Sequence, residues 1–292
     1  MAAKRATISL RLMPASMSTR VCEAPPIERW KPTPLVAGSM GLHAVAGVSA
    51  FLGPEAWPWA IGAVAANHVV LGALGLWPRS TLLGANLTRL PAPSIARREI
   101  ALTFDDGPDP VVTPRILDIL DAHRARASFF CIAHEATRYP ELCREIARRG
   151  HAVENHSREH PMSFALRGMG GIRREIGAAQ SDLAALSGRL PRFFRPPAGL
   201  RSPLLDPVLH EAGLRLVSWT RRGFDTQEMD ADRVYSRLAE NLAAGDILLM
   251  HDGHCARDAQ GEAVVLQVLP RLLRHARSLG LQSVTLEHAT AA

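Results

Sequence analysis

The sequence predicts an α/β fold, a parallel sheet or barrel with helical crossovers, preceded by a hydrophobic helical hairpin. Three observations carry this. From Glu99 onward, short apolar runs of strand length alternate with longer runs whose apolar residues recur at helical spacing. Glycine closes one helical run after another, at Gly150, Gly188, Gly213, Gly245 and Gly280, where a helix C-terminus favours it. Upstream, two uncharged stretches of bilayer length flank a short turn. About seven strand–helix units favour a barrel over an open sheet.

The chain has 292 residues, room for one large α/β domain and an appendage. The hydrophobic fraction is 47%, more than a single soluble domain needs, so the excess must be localised. A formal charge of +6 suits an anionic membrane surface or an acidic substrate. Nucleic acid is not an expected partner. Zinc-finger spacing, aromatic-rich strand motifs and dense lysine runs are lacking, and aromatics make up 5%. The four cysteines form no C-x-x-C pair, and Cys131 and Cys143 read as small buried hydrophobes.

Residues 1–33 are basic, contain proline and show no clear period, which predicts a poorly structured segment. Residues 34–78 hold the hairpin. Leu35–Gly53 and Trp57–Trp77 are uncharged, with only Glu55 in the turn between them. Trp57, Trp59 and Trp77 sit at segment ends, as an interfacial belt would place them. Small residues such as Gly41, Ala44, Gly62 and Gly72 allow close helix approach. A signal peptide fits less well, because the apolar run starts late and a second one follows. A buried hairpin packed on the following domain is the other reading. Basic residues crowd the N-terminal side and recur at Arg79, Arg89, Arg97 and Arg98. The positive-inside rule then puts both ends, and the catalytic domain, on the cytoplasmic face of a bacterial-type inner membrane.

Residues 79–97 read as a linker, and 98–292 as the α/β domain. Its expected strands are Glu99–Phe104, Ala127–Ala133, His151–Asn155, Phe193–Arg195, Leu214–Trp219, Asp246–Met250 and Gln282–Leu286. Its expected helices are Pro114–His123, Pro140–Arg149, Gly171–Leu186, Pro203–Ala212, Ala231–Leu242 and Glu262–Ser278. In such folds chemistry gathers at the C-terminal ends of the strands, and those ends are unusual here.

The first strand ends in Asp105-Asp106-Gly107-Pro108. Adjacent carboxylates on an extended segment point in different directions, so one can hold a metal while the other faces the substrate water. The third strand ends at His156, with His160 four residues on, a spacing suited to one ion. Asp106, His156 and His160 make two histidines and one carboxylate with open positions, a catalytic rather than a closed structural pattern. Zinc is the first choice for such nitrogen-plus-oxygen ligation. Arg195-Pro196-Pro197 fixes a guanidinium at the fourth strand end, where it can hold a carboxylate of the first motif. Asp225 can orient a histidine, and His251, leaving a buried strand, reads as a general acid.

Together, Thr103-Phe104-Asp105-Asp106-Gly107, the His156/His160 pair, Arg195-Pro196-Pro197 and Leu249-Met250-His251-Asp252 resemble the motifs of the polysaccharide deacetylases of the NodB homology domain, carbohydrate esterase family 4. The resemblance covers residues 98–288. It implies a distorted (β/α) barrel and a metal-dependent N-deacetylase of amino sugars. Asp105 would be the general base, steadied by Arg195. Asp106, His156 and His160 would hold the metal, and His251 would protonate the leaving amine with Asp225 tuning it. Leu249 would line the acetyl pocket, the Ala198 N–H would meet the oxyanion, and Pro197 and Trp219 would border the substrate. Two departures bear on substrate choice. Ala198 stands where many members carry an aromatic residue, and no Trp follows Asp225.

Substrates of two kinds are therefore expected, an N-acetylated glycan or a lipid-linked amino sugar at the inner membrane face, with membrane lipid as a neighbour. The contrasting class is a sugar-binding homologue without catalysis, against which the complete acid, base and ligand set argues.

Overall fold

The computed structural model describes residues 29–291, so most of the basic segment read at 1–33, with Cys22, lies outside the described residues. Helix α1 (Pro34–Leu52) starts on Thr33, whose hydroxyl accepts from the Val36 N–H, with Pro34 pre-setting the first turn. A short turn leads to α2 (Trp57–Gly75). Only 11% of the apolar window of α1 and 6% of that of α2 is buried, which sets aside a hairpin tucked inside the domain. Across the pair the Asn67 side chain donates to Ser39 Oγ at 2.8 Å, and His43 meets His68 edge-to-face at 5.1 Å.

The hairpin base is joined to the rest of the chain through backbone and side chain. Trp30 Nε1 donates to Asp206 Oδ2 at 2.7 Å, the Arg201 N–H to the Gly75 carbonyl at 3.2 Å, and Ser218 Oγ to the Pro78 carbonyl at 2.6 Å. Gly75 is required there, since a Cβ would overlap the Arg201 carbonyl. The 79–97 connection also packs down. Leu83 and Leu90 are buried, and α3 (Ala92–Ala96) places Ser94 under Glu99.

From here strands and helices alternate: β1 (Glu99–Asp105), α4 (Val112–Ala122), β2 (Ala127–Cys131), α5 (Ala133–Arg138), α6 (Pro140–Arg148), β3 (Ala152–Asn155), α7 (Met169–Ser187) and β4 (Phe193–Phe194). Then come α8 (Leu205–Glu211), β5 (Arg215–Leu216), β6 (Arg221–Arg222), α9 (Ala231–Ala239), β7 (Ile247–His251), α10 (Val264–Ser278), β8 (Gln282–Val284) and α11 (Leu286–Thr290). All pairings are parallel, in the order β5-β4-β3-β2-β1-β7-β6, with β8 on the N-terminal half of β1. This is the expected distorted barrel. Helix starts are fixed by side chains: Asp109 Oδ1 accepts from Val111 and Val112 ahead of α4, and Asp230 from Asp232 and Arg233 ahead of α9. Gly188 closes α7 in the left-handed conformation at φ 72°.

All of β1 is buried, and its apolar stretch at 100–102 gives way to Thr103 and Asp105 toward the C-terminal end. Leu102 and Phe104 face the helix layer with Leu248 and Met250, and Phe104 stacks on Phe129 at 5.0 Å. Thr103 and Asp105 face the barrel interior, and the register sets Thr103 opposite Leu249 and Asp105 opposite His251.

Three strand expectations need correction. The strand read at Leu214–Trp219 is only Arg215–Leu216. Val217 bridges to Leu87, and the carbonyls of Val217 and Ser218 turn to Arg195 instead of a ladder, after which β6 joins β7. The run Ala127–Ala133 stops at Cys131, because the N–H groups of Ala133 and His134 bond to the carbonyls of Ser157 and Arg158 as α5 begins. The last strand ends at Val284, where Thr285 caps α11 through the His288 N–H.

Candidate active site

The expected residues converge at the C-terminal rim of the strands, where Asp106, Ser157, His160, Ala198 and His254 all adopt left-handed backbone (φ 50–73°). Such conformations cost about 1–3 kcal/mol each in non-glycine residues and persist where the surroundings over-determine them. At Asp106 the reversal turns the side chain away from Asp105, so the two neighbours serve different partners.

Asp106 Oδ1 lies 3.2 Å from His156 Nε2 and 3.3 Å from His160 Nε2. The three candidate ligand atoms fall within 4.8 Å of one another. His156 Nδ1 is 2.7 Å from the Arg195 carbonyl, which can only accept. Nδ1 therefore carries the proton and Nε2 offers a lone pair. The loop between the histidines is pinned from beneath. The Ser157 N–H donates to Asn155 Oδ1, the His160 N–H to Ser157 Oγ, and the N–H groups of Arg158 and Glu159 to Glu175 Oε2 on α7. Burial works to raise the Asp106 pKa, but contacts with His156 and His254 outweigh it and hold the carboxyl well below the usual range.

Asp105 is gripped from one side. Arg195, 1% exposed, donates from Nη1 to Asp105 Oδ1 at 2.6 Å and to Thr103 Oγ1 at 2.9 Å. Its Nη2 reaches the Ser218 carbonyl at 3.0 Å, and its guanidinium sits 4.1 Å from the centroid of Phe130. The other oxygen, Asp105 Oδ2, is left 3.9 Å from His156 Nε2, facing the histidine pair.

Opposite, Asp225 is fully buried and holds His251 twice, taking a 2.8 Å bond from its backbone N–H and lying 2.8 Å from its Nδ1. Burial opposes a charge on His251, yet Asp225 overcomes it and pushes the pKa up to about 9. Leu249 lies two residues before His251 on the same inward face and is buried. Pro197 is buried and Ala198 exposed on the rim. Trp219 lies behind this rim. Its ring is 5.9 Å from the Arg195 guanidinium, and it fills the space a Cβ at Gly199 would need.

Two neighbours of the site, His254 and Asp252, have no role among those the sequence predicts. His254, exposed, lies 3.3 Å from Asp106 Oδ2 through Nδ1. Asp252, driven by burial up to about 7, accepts from Thr113 Oγ1 at 2.6 Å and fills the space beside Gly107. His254 follows His251 by three residues in one strand-end loop, a signal that was available.

Known proteins resemble this chain in sequence and fold. A family profile described as polysaccharide deacetylase matches residues 94–217. A chitooligosaccharide deacetylase of Azorhizobium caulinodans is 36% identical over a 195-residue alignment that covers 63% of this chain and 91% of that protein. The chain belongs to the polysaccharide deacetylase family. A peptidoglycan-N-acetylglucosamine deacetylase of Bacillus cereus, also of this family, is 33% identical over 65% of this chain and 67% of its own length. A solved peptidoglycan N-acetylglucosamine deacetylase, in complex with 4-naphthalen-1-yl-N-oxidanyl-benzamide, superposes with a TM-score of 0.64 at 30% identity, covering 70% of this chain and 92% of that one. In this polysaccharide deacetylase family member the profile begins at residue 94, past the apolar hairpin.

Proposed function

We propose that this chain is a metal-dependent hydrolase that removes N-acetyl groups from the amino sugars of a glycan. The observation that carries this reading is one cluster, Asp106, His156 and His160, flanked by a held carboxylate on one side and a held imidazole on the other. The cluster fits a divalent cation. Asp106 Oδ1 is buried without a hydrogen-bond partner, between two imidazole nitrogens whose orientation suits ligation. Nitrogen-plus-oxygen donors in a reaction without redox change favour zinc. When bound, the ion supplies a Lewis acid to the amide carbonyl and acidifies water.

This chain's own groups do the rest. Asp105 Oδ2 takes a proton from the attacking water while Arg195 keeps Oδ1 fixed. The Ala198 N–H donates to the oxygen that gains charge in the tetrahedral transition state. His251 Nε2 gives its proton to the departing nitrogen, with Asp225 keeping the ring cationic and aligned. Leu249 and Pro197 border the acetyl and sugar, with Trp219 backing that wall. One water and one N-acetyl amide become acetate and a free amine.

The described helices α1 and α2 are each 19 residues, about 28 Å at helical rise, and match a bilayer core. Their exposed faces carry Phe51, Trp59 and Val69. They form a membrane anchor for the catalytic domain of 98–292, and Arg79, Arg89, Arg97 and Arg98 favour placing that domain at the cytoplasmic side.

The test is acetate release by the detergent-purified full chain from chito-oligosaccharides and peptidoglycan fragments. Release stopped by EDTA and restored by zinc is expected, with Asp105→Asn retaining metal and losing about a hundredfold or more in kcat. Release indifferent to EDTA, or full activity in Asp105→Asn, would overturn the mechanism.

A further inference from the structure

A cavity of about 1220 Å³ lies between the hairpin base and the catalytic domain. It exceeds the roughly 300–1,000 Å³ of ordinary small-ligand pockets. One wall is the hairpin, with Met40, Leu71 and Gly72, and the other the domain, with Met162 and Leu200. It descends along α1 from Val36 to His43, about 10 Å toward the hairpin tip. Its upper end adjoins the catalytic rim on two sides, because Met162 is two residues past His160 and Leu200 two past Ala198.

Two residues that line the cavity, Arg201 and Ser202, each carry a buried polar donor without a partner. Arg201 is 4% exposed, and its Nε has no hydrogen-bond partner. Next to it Ser202 Oγ is buried and equally unpartnered. Among the described residues no carboxylate comes within ion-pair distance of Arg201, whose bonds run to the Ser80 carbonyl and, through its N–H, to Gly75. A guanidinium N–H and a hydroxyl on adjacent residues, both unsatisfied beside a largely apolar cavity, favour an anion as their partner. At most about 11 Å of chain separates Arg201 from Ala198, so an anion here and an amide at the rim can belong to one head group.

We propose that this cavity receives the tail of a lipid-phosphate-linked N-acetylated amino sugar, with Arg201 and Ser202 holding the phosphate and the hairpin wall guiding the chain from the bilayer. This rests on the amino-sugar deacetylase reading and names its substrate class. A water-soluble oligosaccharide would leave both donors unsatisfied and the apolar walls wet.

Binding and turnover are measured on the full chain in detergent micelles with a polyprenyl-phosphate-linked N-acetylglucosamine. Native mass spectrometry reads binding, and acetate release reads turnover. Gly72→Trp puts an indole on the cavity wall at a position where the Cβ itself meets nothing within 4 Å. Arg201→Gln removes the cation. Each is expected to weaken binding about tenfold or more, and to lower the ratio of kcat/KM on the lipid-linked sugar to that on chito-oligosaccharide by the same factor. Binding undiminished in Gly72→Trp, or displacement of the probe by equimolar phosphatidylglycerol, would overturn the proposal. Tight, cavity-dependent binding without acetate release would sustain the lipid site while overturning the deacetylase reading. Release from chito-oligosaccharide with no cavity-dependent lipid binding would do the reverse.

Discussion

His251 carries a charge that its burial disfavours and Asp225 imposes. With its pKa raised to about 9, the acid form prevails below that pH and proton donation fails as pH rises through it. In Asp225→Asn burial acts unopposed by that carboxylate. The alkaline limb of kcat/KM is expected to move to lower pH by about one unit or more, with metal content unchanged. An alkaline limb that stays in place would assign the proton to another donor. Arg195 poses the opposite problem, a buried cation whose loss strands Asp105. Arg195→Met should cost about 3–5 kcal/mol in denaturant unfolding, and a loss below about 1 kcal/mol would show the pair to be dispensable to the fold. The residues that gather at the rim were legible in the sequence because each sits in a short motif at a strand end, where residue type alone narrows the chemistry. Their supports were not. Glu175 reaches the loop of His156 and His160 from α7, and Asn155 pins it from the strand before. Nothing in their local sequence marks either as part of a site.

At the scale of elements, the site depends on two strand-end turns, after β1 and β7, that touch without clearance. A Cβ on Gly253 would run into the backbone of Asp106, and one on Gly107 into the Asp252 carboxylate. Gly253→Ala is expected to displace Asp106 and lower kcat/KM about a hundredfold, while Gly177→Ala, in open space on α7, should leave activity intact and stabilise by about 0.5–1 kcal/mol. Equal kinetics for the two variants would refute the idea that the turns set the ligand position. Strands β1, β2 and β7 could be read from sequence because each is a buried, largely apolar run bounded by polar turns. The break between β5 and β6 could not, since Val217 and Ser218 give up their ladder to Leu87 and Arg195, partners more than twenty residues away.

At the scale of the molecule, the hairpin's exposed apolar surface predicts partition. The full chain should stay with membranes through an alkaline carbonate wash and leave only with detergent; release by carbonate alone would reduce the hairpin to a peripheral contact. The apolar length of that hairpin was plain in the sequence. Its attachment was not, because Trp30, Gly75, Pro78 and Ser218 carry no pattern until the chain brings them together. Those bonds make a joint rather than a tether. In a bilayer, a joint fixes the height and tilt of the catalytic mouth, so encounter with a substrate becomes a search in two dimensions. Turnover would then follow the surface density of the substrate within the leaflet and not its amount per volume of cell.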